Sequence, residues 1–412
     1  MAAMRWIDHW VGLPLCFLLG LCVALVRRLG IHRSRRIGGQ RTLAVFKFFG
    51  LGSIIEISPL LRAIRARYPR ARLAFVTFAE NEHLVRMLGL CTDVRVIRTQ
   101  RPLDFALDVL RQIAWLQRER VEAVIDLEFF SKFSTLLSFF SGARVRVGFH
   151  LNDFWRYSLI THAIYFNYYQ HITDVYREAA RRLDVMIDDM TLSRLDAGPA
   201  PRRAAREILT RHGWSPGAPL VGVNVNAGDM SLERRWPLER FAVVVQALLE
   251  RHADLFVVLV GAPSERAYVL ALSERLPQEL QARVAIAAGQ WTLDEFIAAL
   301  ADCDLFITND SGPMHLAAAQ GVPLLSLWGP GRPGFYAPRS ADHHAIYNDF
   351  PCSPCLYMFT TFEGMWCNHE GWCMLTITPD AVLAAAEPLL GAARQRRAAC
   401  PSTSAPDFVA EP

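Results

Sequence analysis

The sequence predicts an α/β protein of two domains, each built on a parallel sheet, preceded by a hydrophobic anchor segment. Three observations carry that expectation. Short apolar runs alternate with helical stretches, the pattern of a parallel sheet whose strands are joined by crossover helices. The alternation is interrupted once, between Ala197 and Arg203, by a Pro/Arg/Ala stretch, and then restarts. A chain of 412 residues is also long for one core and suits two. The boundaries read as 1–36 for the anchor with its basic flank, 37–197 and 203–396 for the two domains, and 397–412 for a flexible tail.

The elements follow in order. In the first half, strands are expected at Thr42–Phe46, Leu73–Phe78, Val94–Ile97, Ala123–Leu127 and Val145–Phe149. Between them, Gly50-Leu51-Gly52 turns into a helix that carries Pro59, and further helices fall at Glu82–Leu88, Leu103–Arg118 and Lys132–Phe140. Residues 150–180 are aromatic and histidine-rich and read as a loop and helix lining a cleft or lying against lipid. In the second half, strands Leu220–Val225, Phe256–Val260 and Arg283–Ala287 alternate with helices Arg203–His212, Leu238–Arg251, Ser264–Arg275 and Leu293–Ala301. Residues 328–375 read as one long loop, and the last helix, Pro379–Ala393, as a return to the first domain.

Composition excludes some classes. With 52% hydrophobic and 20% charged residues the chain is a folded protein, and a net charge of +4 makes no case for nucleic acid as a partner. Arginine greatly outnumbers lysine, which suits phosphate contacts and equally a GC-rich genome. Val11 to Val26 contains no charge and is followed by Arg27, Arg28, Arg33, Arg35 and Arg36. A secretory signal would carry its charge first and a cleavage site after. The order found here predicts a membrane association that leaves the domains in the cytoplasm, at the inner membrane's cytoplasmic face. The segment either spans or lies in the interface, with Trp6 and Trp10 at the headgroup level. Cys352, Cys355, Cys367 and Cys373 fall as C-x2-C-x11-C-x5-C, which leaves a structural zinc site open, with His369 as a spare ligand.

The most informative stretch is 305–330. An apolar strand, Leu305–Ile307, runs into the turn Asn309-Asp310-Ser311-Gly312; Pro313 opens a helix of small residues to Gln320, and a second strand starts at Leu324. Proline at the first helical position lacks only an N–H that would be unpaired anyway. The remaining free N–H groups make an anion site, with Met314 and His315 in its first turn. Asp302-Cys303-Asp304 precedes the strand and lies away from that end, so no metal is expected to act there, and no cofactor is implied.

In this stretch the chain resembles the heptosyltransferases of glycosyltransferase family 9, whose hallmark N-D-[ST]-G-x-x-H-x-A-A-A is matched by Asn309 to Ala319. The resemblance covers roughly residues 41–390 and implies a GT-B fold, two Rossmann-like domains facing a cleft. It implies an inverting, metal-independent transfer of a sugar, a heptose from ADP-heptose first of all, to a lipopolysaccharide or other envelope glycan acceptor. It places the donor on Asn226, on Arg234 with Arg235 as substitute, on Glu265, and on Asp310, Ser311, Gly312, Pro313, Met314 and His315. In the first domain it points to Gly52 and residue 53. There the family has an aspartate, its proposed catalytic base, and this chain has Ser53. A serine hydroxyl is no general base near neutral pH without help. The carboxylate then comes from Glu56, or from Asp126 or Glu128 at a strand end, with His315 assisting the leaving group. Otherwise the chain binds a sugar nucleotide and transfers poorly; a GT-B epimerase is the third reading.

Overall fold

The computed structural model describes residues 8–28, 37–38, 41–129, 131–150, 158–228, 231–356, 367 and 371–399. Trp6, Arg33, Arg35, Arg36, Trp155, Tyr157, His369 and the chain from Cys400 onward lie outside them. The chain divides into two compact units. Unit 1 comprises residues 1–196 with 332–337 and 356–365, and unit 2 the remainder from Ala197.

Unit 1 holds six parallel strands: β1 (Leu43–Phe46), β2 (Leu73–Phe78), β3 (Asp93–Ile97), β4 (Ala123–Asp126), β5 (Val145–His150) and β6 (His162–Tyr165), in the order β3-β2-β1-β4-β5-β6. Unit 2 holds β7 (Leu220–Asn224), β8 (Phe256–Val260), β9 (Val284–Ile286), β10 (Leu305–Asn309), β11 (Leu324–Trp328) and β12 (His343–Tyr347). Its order is β12-β11-β10-β7-β8-β9, which read from its other edge is the same doubly wound topology. The order reverses between β1 and β4 in one sheet and between β7 and β10 in the other. Such a switch point leaves a crevice beyond the strand ends where ligands bind.

The central strands β1, β2, β4, β7, β8, β10 and β11 are buried along their whole length, as expected of strands covered on both faces. Their Val, Ile, Leu and Phe side chains each contribute roughly 1.5–3 kcal/mol by leaving water. Packing is tight at Gly222 in β7, where a Cβ would stand 2.6 Å from the Phe306 ring. The two lysines of the chain, Lys47 and Lys132, are both buried, so every exposed basic side chain is an arginine or histidine.

Three expectations are corrected. Strand β6 falls where a loop and helix were expected and β12 where a loop was; both are edge strands, half-buried and rich in His and Tyr, so neither shows the apolar run that marks a central strand. The helix after β1 is two: Leu51–Glu56 ends at Ile57 and Ser58–Arg67 begins anew, because Pro59 is tolerated in a first turn and not in an interior. The last helix runs Pro379–Ala399 and does not return to the first domain. It packs on helix Leu238–Arg251 within unit 2, with Arg251–Glu387 at 3.1 Å, and extends three residues into the expected tail. The stretch that joins unit 1 is instead Arg332–Ala337. The aromatic stretch receives it: Tyr168 stacks on Phe335 at 5.1 Å, and the ring N–H of His171 donates to the Ala337 carbonyl at 2.8 Å.

Candidate functional site

At the switch point of unit 2, the ends of β7 and β10 are knitted by amides. Asn309 accepts from the Trp236 N–H at 3.1 Å and donates to the Val225 carbonyl at 2.9 Å. The Asn224 amide nitrogen lies 3.0 Å from both the Thr308 and Ser311 hydroxyls. This has a consequence for the helix Gly312–Gln320. Ser311 occupies its N-cap position, yet the hydroxyl is turned to Asn224 and Thr308 and makes no cap to the helix. The hydroxyl therefore competes for none of the first-turn N–H groups, of which that of Met314 donates to the Ser311 carbonyl at 3.2 Å.

Arg234 fills the other side of the turn. Its guanidinium is buried, donates to the Asp310 carbonyl at 2.8 Å and to the Ala227 carbonyl, and stands 3.7 Å from the Asp310 carboxylate. Asp310 thus holds the arginine and fixes the turn; Gly331 is required beside it, since a Cβ there would come within 2.6 Å of Oδ2. Arg235 points elsewhere. It stacks on the Tyr268 ring at 4.5 Å and lines a separate cavity of about 330 Å³ with Glu233, Cys367 and Met374. The two neighbouring arginines are therefore not interchangeable.

Asn226, just past β7, is 2% exposed, and neither its Oδ1 nor its Nδ2 makes a hydrogen bond among the described residues. A buried amide with both ends unsatisfied costs roughly 1–3 kcal/mol per group, which sets Asn226 apart from the satisfied asparagines beside it. Its Nδ2 and the Glu265 Oε2 crowd Gly261, where a Cβ would lie 3.0 and 3.3 Å from them. Glu265 also accepts the Ala262 N–H at 2.8 Å, a helix-start contact. Met314 and His315 are buried in the first turn. His343 sits near His315; burial, then the proximity of His315 and His344, holds its imidazole below the usual range.

At the switch point of unit 1 the furnishing is acidic. Glu128 accepts at one oxygen from the Lys47 ammonium at 3.1 Å, from Phe49 N–H at 2.9 Å and from Phe48 N–H. Asp126 accepts from the Glu128 N–H at 3.1 Å and the Ser134 hydroxyl at 2.8 Å. Glu128 thus ties the end of β4 to the end of β1, while Asp126 fixes the turn after β4 and reaches the helix Lys132–Phe140. Glu56 is buried one turn beyond Ser53 and close to the Tyr176 phenol, whose ionisation is pushed up by burial and by Tyr336, Glu56 and Glu128 around it. Gly52 is buried in the same helix, and the Ser53 hydroxyl pairs with the Tyr336 hydroxyl.

Tyr176 and Tyr336 were not singled out in the sequence, and Asn309, though read as the first residue of the turn, was given no role of its own, nor was Asn224. The asparagines at strand ends were a signal that could have been used; the tyrosines reach their places only through tertiary packing. Cys352, Cys355, Cys367 and Cys373 are free thiols in unit 2, and no group of three ligand-type residues poised for a metal occurs among the described residues. Burial pushes the Cys373 thiol up to about 11. Of the D-x-D, Asp302 pairs with Arg202 and Arg206 at 2.7 Å, and Asp304 accepts the Leu220 N–H at 2.8 Å. Both brace the start of β10, at the edge away from the turn.

Comparison with known proteins agrees with this geometry. Residues 109–365 match the model of glycosyltransferase family 9 (heptosyltransferase). Lipopolysaccharide heptosyltransferase 2 of Escherichia coli is 34% identical over 128 residues, 31% of this chain and 36% of that protein. Lipooligosaccharide heptosyltransferase 2 of Haemophilus influenzae is 32% identical over 122 residues, 30% of this chain and 34% of that one. The chain thus spans about a third of the length of these curated relatives. Among solved structures, a family 9 glycosyltransferase from Veillonella parvula superposes with a TM-score of 0.69 at 23% identity, covering 87% of this chain and all of the other. The E. coli ADP-heptose heptosyltransferase II follows at 0.67 and 22%, covering 86% and 99%. The solved structures share the fold, and the family model covers more than half of the sequence, including the turn and helix on which the site is built: the chain belongs to glycosyltransferase family 9, the heptosyltransferases.

Proposed function

We propose that this protein is an inverting, metal-independent glycosyltransferase. It moves a heptose from ADP-heptose to a lipopolysaccharide or related envelope glycan at the cytoplasmic face of the inner membrane. The observation that carries the reading is the switch point of unit 2. An uncapped helix start, a buried Arg234 and an orphaned Asn226 amide converge there, which is the equipment for a nucleoside diphosphate. The names of the relatives support the donor and the acceptor class.

In this reading the acceptor hydroxyl attacks the anomeric carbon as the bond to the β-phosphate oxygen breaks, through an oxocarbenium-like transition state. Charge growing on the diphosphate is met by the first-turn N–H groups, Arg234 and His315, donors already in place. Gly312 and Pro313 form the floor of that cradle, while Ser311 and Met314 shape it from within. Asn226 and Glu265 take the nucleoside's polar edges. Unit 1 supplies the base. Glu56, buried one turn from Ser53 and beside the Tyr176 phenol, is the carboxylate assigned to the proton, with Asp126 and Glu128 as the other candidates and Ser53 and Gly52 shaping the approach.

The test is a transfer assay with purified chain, ADP-heptose and heptose-deficient lipopolysaccharide, run with and without a chelator. The reading expects a product of inverted anomeric configuration and an unchanged rate with chelator. Tight ADP binding with no transfer would instead favour a sugar-nucleotide-binding protein on the same fold, the alternative that Ser53 raises.

A further inference from the structure

Unit 1 carries an apolar face that the chemistry does not use. Asp8 fastens the N-terminal segment to the start of helix Lys132–Phe140: its carboxylate accepts the Phe133 N–H at 2.7 Å and the Lys132 N–H at 3.3 Å, with the Lys132 ammonium at 3.9 Å. The helix Leu13–Arg28 then runs along the same element, and Gly12, Cys16 and Gly20, four residues apart, are buried. A Cβ on Gly12 would stand 2.7 Å from that of Lys132, so this close approach requires glycine. The opposite arc shows Trp10, Val11, Leu15, Phe17, Leu18, Leu21 and Leu25, each 43–63% exposed. From Trp10 to Leu25 the described residues carry no charged side chain, although a helix on a water-facing surface should have a polar side.

A second stripe adjoins on the same side of the sheet. Helix Pro102–Arg118 packs beside Lys132–Phe140 through the Phe105–Phe133 ring contact at 5.3 Å and Gln117 to the Phe140 carbonyl at 2.8 Å. Its Leu103, Leu107 and Leu110 fall at i, i+4 and i+7 and are 71, 41 and 62% exposed. Such a stripe ordinarily faces a core.

We propose that these two helices form one membrane-binding face, on which unit 1 seats against an anionic bilayer with the N-terminal helix lying in the plane of the interface. This deepens the membrane-side placement proposed above, on which it rests, and is independent of the transfer chemistry. Lipid is the occupant because the exposed arc is wholly apolar and is followed in sequence by Arg27, Arg28, Arg33, Arg35 and Arg36, with Arg101 and Arg111 on the second helix. The helix lies in the plane and does not span because it is fixed lengthwise to unit 1. An upright helix would carry Lys132, Ser131 and Ser134 into hydrocarbon, where polar groups cost too much.

The experiment is flotation of the full chain with sealed phosphatidylethanolamine–phosphatidylglycerol vesicles and with phosphatidylcholine vesicles. The wild type is expected to float with the anionic vesicles and far less with the neutral ones. The triple variant Leu103→Ser, Leu107→Ser, Leu110→Ser, made at exposed positions, should lower partitioning by about tenfold or more. An N-terminal tag on the bound protein should be cut by protease added outside. Failure of the wild type to float would sink the membrane placement itself. Floating with a protected tag, or with no loss in the triple variant, would leave the placement standing and overturn the in-plane face. A lipid-free dimer abolished by the leucine substitutions would show that a second copy covers the face instead.

Discussion

The two sheets of this protein have one topology and opposite furnishing. At the switch point of unit 2 the groups are donors: asparagine amides, a buried arginine, a helix start left uncapped by its own N-cap serine. At the switch point of unit 1 they are carboxylates: Glu128 ties β4 to β1, Asp126 joins β4 to the helix after it, and Glu56 lies beside the Tyr176 phenol. Topology alone decides where a ligand can lie. Side chains decide what it is, and the proposed function reads these two sets as an anion site on unit 2 and a proton acceptor on unit 1. The contrast also separates two kinds of buried polar residue. Glu128 is satisfied several times over, whereas the Asn226 side chain is satisfied by nothing among the described residues; in the proposed function that amide is kept for the donor.

The contrast can be broken most severely at Glu56. Glu56→Gln should lower turnover by about 10²–10⁴-fold with donor affinity little changed, the pattern of a lost base. Asp126→Asn should be mild in turnover, and Ser53→Asp should raise or preserve it. If all the carboxylates prove dispensable to kcat, unit 1 supplies no base and the comparison fails on that side. Next in size is Arg234→Ala, expected to cost about 10²–10³-fold in kcat/KM through the lost charge-assisted contacts. Arg235→Ala should change kcat/KM by less than about threefold, because its guanidinium stacks on Tyr268 in a different cavity. Equal losses in the two variants would show that the geometry has assigned the wrong arginine.

Much of this was legible beforehand. The strand–turn–helix around Asn309 is visible because an apolar run, a polar turn, a proline and a small-residue helix each declare their element locally. The central strands are equally plain. Strands β6 and β12 were hidden, since an edge strand with half its side chains in water carries histidines and tyrosines that read as loop. The split between Arg234 and Arg235 was hidden as well. Adjacent residues in an extended turn point apart, and only the packing of Tyr268 and Asp310 tells which goes where. Tyr336 on Ser53 lies 283 residues away in the chain, beyond any local pattern.

A smaller effect sharpens the comparison through stability. Glu128→Gln removes the partner of a buried ammonium and should destabilise unit 1 by about 3–5 kcal/mol, read as a lower chemical-denaturation midpoint with donor affinity retained. The smallest effect is a pH dependence. Folded His343 is held neutral, its ring N–H on the Pro338 carbonyl at 2.7 Å and its other nitrogen 2.7 Å from the Ser326 hydroxyl. It binds a proton less readily than the unfolded chain does. Its contribution is therefore complete above the ordinary value of 6.5 and declines as pH falls below it. His343→Gln should flatten the melting temperature between about pH 6.5 and 5 relative to wild type; an unchanged slope would remove the imidazole from the account.

The central claim is that the orphaned amide of unit 2 waits for a nucleoside diphosphate. Calorimetric titration of ADP into the wild type, Asn226→Ala and Asn226→Asp tests it directly. Binding to the wild type should weaken by about tenfold in Asn226→Ala and further in Asn226→Asp, where a carboxylate replaces the amide. The melting temperature of ligand-free Asn226→Ala should stay level or rise, since the substitution removes an unsatisfied group. Equal ADP affinity in all three proteins, or a sharp loss of stability in Asn226→Ala, would contradict the account and place the amide among the residues that hold the fold.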